Sequence, residues 1–133
     1  MKTYSILTLT IMSSNAIPYL VKGEILLSKE LGSFSGARVH IYLEDVSLQD
    51  ASAKIMAQQT ITEFSHESGT EDRVAFSLQS GTINSRASYS IRAHITFHDD
   101  GYIHRGDYIS TESYPALTDG WPNQVLVNVT EVK

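Results

Sequence analysis

The stretch "ASYSIRAHITF", residues 87 to 97, constrains the fold more than any other, because Tyr89, Ile91, Ala93, Ile95 and Phe97 take every second position against Ser90, Arg92, His94 and Thr96. A repeat of two is the period of a β-strand with one face in a core. The same alternation recurs along the chain. "YLVKGEILL" puts Val21, Ile25 and Leu27 on one side, with Gly23 marking a bulge or a close backbone approach. "ARVHIYLED" aligns Val39, Ile41 and Leu43 against a wet His40, Tyr42 and Glu44, and "AKIMAQQTIT" offers Ile55, Ala57 and Ile61. "RVAFSLQ" buries Val74, Phe76 and Leu78, and "NQVLVNVTEV" turns Val125, Val127 and Val129 inward.

Between these runs lie turn compositions: "GSFSG", the polar "EFSHESGTED", "SGTINSR", and "HDDGY", whose Asp100-Gly101 suits a tight hairpin. No stretch carries a convincing helical period. The expectation is an all-β chain, a single antiparallel β-sandwich of seven or eight strands with an immunoglobulin-like or transthyretin-like outline. With 133 residues and no repeat or linker, one core serves residues 1 to 133 as one domain. Residues 1 to 16 are an extra strand, on the alternation of "LTLTI", or a weak secretory signal with one lysine and small residues at Ser14 and Ala16.

Charge and composition exclude several functions. Ten basic and fifteen acidic residues are dispersed with no basic block, so nucleic acid is not expected as a partner. Without cysteine there is no disulfide, thiolate metal site, thiol nucleophile or lipidated cysteine. No apolar run approaches the roughly 18 residues of a membrane span, which leaves a soluble or at most peripheral protein.

The acidic cluster Glu44, Asp45 and Asp50 lacks the glycine of a calcium loop, and alternation sends Glu44 and Asp45 to opposite faces. The expected role of Asp45 and Asp50 is to accept hydrogen bonds from loop amides, with Glu44 peripheral. His94, His98 and Asp99, with Asp100 and His104 nearby, are candidate metal ligands. Histidines on a hydrated strand face are the simpler reading, and no metal or other cofactor is expected. "RGD" at Arg105 to Asp107 falls in an expected strand or bulge, where glycine relieves a distortion between two charged edge residues, and "NVT" at Asn128 lies in a strand rather than a loop. No serine sits in a nucleophile elbow, so an enzyme is not expected. Trp121, the only tryptophan, in the loop "SYPALTDGWPNQ", either plugs one end of the sandwich or faces a ligand.

Three stretches, "GARVHIYLEDVSLQDASAKIMAQQTI", "YSIRAHI" and "YPALTDGWPNQVLVNV", resemble the YbaY/YscW family of small bacterial lipoproteins, which includes type III secretion pilotins. The resemblance covers residues 21 to 132. It implies a β-sandwich without catalytic residues, placed in the periplasm or cell envelope, that binds a protein segment, the C-terminus of an outer-membrane secretin. The lipidated cysteine of those relatives has no counterpart in this sequence, so a cytoplasmic location also fits. The resemblance brings no ligand residue with it. The rival reading is a small-ligand or metal-binding domain built on His94, His98 and Asp99 or on the Trp121 loop.

Overall fold

The computed structural model describes residues 19 to 48 and 51 to 133. The N-terminal "LTLTI" and the acceptor Asp50 lie outside the described residues. The elements are β1 (Tyr19–Leu27), β2 (Phe34–Asp45), β3 (Lys54–His66), β4 (Asp72–Ser80), β5 (Tyr89–Thr96), β6 (Tyr108–Ile109), β7 (Pro115–Ala116), β8 (Gln124–Asn128) and β9 (Thr130–Glu131). They form two facing sheets. The smaller has the order β4-β1-β8, and the larger runs β3-β2-β5-β6-β9 with β7 also on β5.

The core is the set that period two selects. Val21, Ile25 and Leu27 of β1 meet Val39, Ile41 and Leu43 of β2, all fully buried, and Ile91, Ala93 and Ile95 of β5 complete the layer. Val74, Phe76 and Leu78 come in from β4 and Val127 from β8. Every pairing is antiparallel except that of β8, which lies parallel to β1 with Lys22 opposite Gln124 and Leu26 opposite Asn128. After Asn128 the chain leaves that sheet. Val129, itself buried, carries it across to the other, where β9 pairs with β6. Asn128 therefore stands where the last strand changes sheets.

At Gly23 the ladder to β4 is continuous, so the glycine marks a close approach and not a bulge. A Cβ there would lie 2.3 Å from the Val125 carbonyl oxygen and 2.7 Å from the Phe76 ring. Bulges occur elsewhere and change three expectations. "GSFSG" is not a turn: β2 already starts at Phe34, and Gly36, with φ +70°, lies within the register shift between Phe34 and Ala37. Leu43 pairs with Ala57 while Glu44 pairs with Ile55, so Met56 is the extra residue. That slip turns Ile55 outward, 49% exposed, and Met56 packs on the core instead. "EFSH" belongs to β3, which continues to His66 past a left-handed Glu63 at φ 56°.

The Asp100-Gly101 turn does form, with Asp100 Oδ1 accepting from the Tyr102 amide at 3.0 Å. It does not close a tight hairpin, because β6 begins only at Tyr108. Residues 97 to 107 instead make a long loop that returns Asp107 to the outer face of the larger sheet.

Candidate functional site

The loop alters the face that alternation assigns to solvent. His94 and Thr96 are buried, at 4% and 3% exposure, and the expected hydrated histidine face is absent at His94. The cause is Asp107, itself fully buried, whose Oδ2 accepts from His94 Nε2 at 2.7 Å and from the His104 amide at 3.0 Å. Burial alone raises the Asp107 pKa, but the hydrogen bonds from His94 and the His104 amide outweigh it and hold the carboxyl below its usual value. Within Arg105-Gly106-Asp107 only the aspartate is an interior anchor, placed directly after a left-handed glycine, φ +92°, and Asp107 is no edge residue.

The candidate metal ligands do not converge. His94 is committed to Asp107, Asp99 pairs with Arg38 at 3.3 Å, and His98 stacks on His104 with ring centroids 3.7 Å apart. Among the described residues no three histidine, aspartate or glutamate side chains meet as metal ligands. His94, His98 and Asp99 do share a hollow of about 200 Å³ with His40 and Tyr42.

Glu44 and Asp45 separate onto opposite faces and do different work. Asp45 accepts from the amide and hydroxyl of Ser47, which lowers its pKa, as expected of a loop-capping carboxylate. Glu44 is not peripheral: it is 8% exposed and takes two hydrogen bonds, at 3.0 and 2.8 Å, from Arg92, whose guanidinium lies 4.2 Å over the Tyr42 ring. Trp121 is 51% exposed and plugs nothing. With Val46 and Pro115 it borders a hollow of about 220 Å³, in a loop fixed by the Thr118 hydroxyl donating to the Ala87 carbonyl at 2.8 Å.

The surface best suited to a partner is the flank where β3 and β4 are edges. Among the described residues β3 pairs only with β2, and β4 only with β1. Thirteen residues of β3 therefore present an outer backbone edge. A regular edge is a template for a further strand unless it is charged or covered, and the regular part here is Ala57–Ile61, between the Met56 bulge and the irregularity at the left-handed Glu63. Its core-facing row, Met56, Ala57, Ile61 and Phe64, is only half-buried. Within that row stands Gln59, whose Oε1 accepts from the Ser77 amide of β4 at 3.0 Å. One side chain thus clips the two sheets together where no ladder joins them. The sequence signal was present, a glutamine in the inward phase between Ala57 and Ile61, but the unshifted period gave no reason to single it out.

The chain matches the family model described as type III secretion system lipoprotein chaperone (YscW) over residues 19–129. Among solved structures it is similar to an alternative pilotin from the type II secretion system of Vibrio cholerae. The two share 25% sequence identity at a TM-score of 0.69, over 88% of this chain and 99% of that one. No curated protein matches. Among the described residues no helix is long and apolar enough to cross a membrane.

Proposed function

The chain belongs to the YscW family of type III secretion lipoprotein chaperones, and from that membership we propose that it is a non-catalytic, pilotin-like chaperone for the C-terminal segment of a secretin. The family and the pilotin neighbour support a chaperone-like role. The observation that carries the finer reading is the free β3 edge beside a half-buried apolar row. An extended segment laid along β3 satisfies its outer amides and carbonyls, and alternate side chains cover Met56, Ile61 and Phe64. Backbone pairing supplies affinity, and the apolar row supplies selectivity. Gln59 marks the inner limit of the groove, because a side chain entering further displaces its bond to Ser77.

The test is amide hydrogen exchange on the full chain, alone and with peptides from candidate secretin C-termini. Binding is expected to slow exchange at alternate residues of β3 while leaving β8 unchanged. A peptide that binds without protecting β3, or the failure of every such peptide to bind, refutes this reading.

A further inference from the structure

We propose that the hollow over the His40 and His94 rings is a binding site for a small oxyanion, a carboxylate or a phosphate, that is taken up as these imidazoles gain protons. The two residues face each other directly across β2 and β5, with ring centroids 6.1 Å apart. Each has one ring nitrogen engaged: His40 Nδ1 with the Thr60 hydroxyl at 3.0 Å, and His94 Nε2 with Asp107 at 2.7 Å. Asp107 is ionised and only accepts, so the neutral His94 carries its proton on Nε2 and a second proton adds at Nδ1. With both rings protonated the free nitrogens, His40 Nε2 and His94 Nδ1, are both donors, on rings whose centroids lie 6.1 Å apart.

The surrounding charges set the direction of the effect. β2 contributes Arg38, His40 and Tyr42, β5 contributes Arg92 and His94, and β3 contributes only the neutral Gln58 and Thr60. The returning loop adds His98, Asp99, Asp100, His104 and Asp107. The carboxylates are all taken: Asp99 by Arg38, Glu44 by Arg92, Asp107 by His94 and Asp100 by His104. With the imidazoles neutral the cluster carries two net negative charges and repels an anion. With all four protonated it carries two net positive charges, and His40 and His98 have no carboxylate partner among the described residues. His40 resists that proton, its pKa lowered first by burial and next by His94 and the two arginines, and a bound oxyanion offsets this penalty. A volume of about 200 Å³ is ample for an acetate or phosphate ion.

The test is an NMR titration of the histidine rings of the full chain from neutral to acid pH in chloride, acetate and inorganic phosphate at matched ionic strength. Acetate or phosphate is expected to raise the His40 and His94 midpoints, with binding about tenfold tighter once both rings are protonated, the equivalent of about one pKa unit. His66, which does not line the hollow and whose Nδ1 is engaged with Asp72, should not respond, and its unchanged signal also reports that variants are folded. A response to acetate alone, phosphate alone or both identifies the oxyanion class. His40→Gln should abolish the anion-dependent shift at His94. Midpoints that move no more than in chloride, or that move equally at His66, overturn the proposal, as does an undiminished response in His40→Gln. None of these outcomes depends on a peptide partner.

Discussion

Truncating Asp107 to alanine tests whether the buried carboxylate organises the 97 to 107 loop. The side chain is fully buried, and its removal strands two interior donors, His94 Nε2 and the His104 amide. Each stranded donor costs about 1–3 kcal/mol. Part is recovered because Asp107 Oδ1, a buried oxygen with no partner, disappears as well. The net loss is about 2–4 kcal/mol against a domain stability of about 5–15 kcal/mol, or a drop in Tm of about 10 °C for a chain of this size. Urea unfolding at neutral pH measures it, with Arg105→Ala as the exposed neighbour, expected within about 0.5 kcal/mol of wild type. The pH dependence has a definite sign. Because the folded pKa of Asp107 is depressed, its contribution is fully present above the unfolded value of about 3.9 and is lost as pH falls through the lower folded value. The gap between wild type and Asp107→Ala should therefore persist from neutral pH down to about pH 4 and narrow only below. Equal stability of the two variants refutes the anchoring role, and a gap that closes near pH 6 assigns the effect to another group.

Gly23→Ala should cost about 1–3 kcal/mol, because the new Cβ meets the Val125 carbonyl, whereas Gly81→Ala, with nothing within 4 Å, should be nearly silent by thermal melt. Glu44→Ala should cost about 1 kcal/mol through the lost Arg92 bonds, while Ile95→Asp, a carboxylate at a fully buried position, should leave no cooperative transition in urea. Binding of a secretin peptide should change less than about twofold between 0.1 and 1 M salt, although the Debye length falls from about 10 to about 3 Å, because backbone pairing and apolar burial are not screened. Anisotropy titrations that collapse with salt would point to ion pairs instead.

Much of the sandwich was legible in the sequence, since burial on one face imposes a period that few other structures share. Val21, Ile41, Val74 and Ile95 needed nothing more. What eluded the pattern were the places where one residue changes the phase or the chain's direction. Met56 shifts β3 by one position, so Ile55, in phase before the slip, ends outside. Val125 to Val129 alternate continuously, but alternation carries no information on strand direction or on the change of sheet at Val129. The candidate site was harder to read, because burial of His94 is decided by Asp107, thirteen residues away in a loop whose return path depends on tertiary contacts. Likewise, the partner-ready edge of β3 is defined by which strands do not pair with it, and strand order has no local signature.

The parallel ladder between β1 and β8 joins residues 22–26 to residues 124–128, nearly the whole length of the chain. Closing a loop of about a hundred residues costs roughly 4 kcal/mol of chain entropy before the ladder returns anything. Such pairing is intrinsically slow and comes late in folding, after the local β2–β3 meander can form. A nascent chain that stops short of Gln124 has no β8 to cover β1, and its smaller sheet then ends in an unpaired apolar strand. Completion of the smaller sheet therefore waits on synthesis of β8, and truncation before Gln124 should leave a chain prone to self-association rather than a slightly smaller domain.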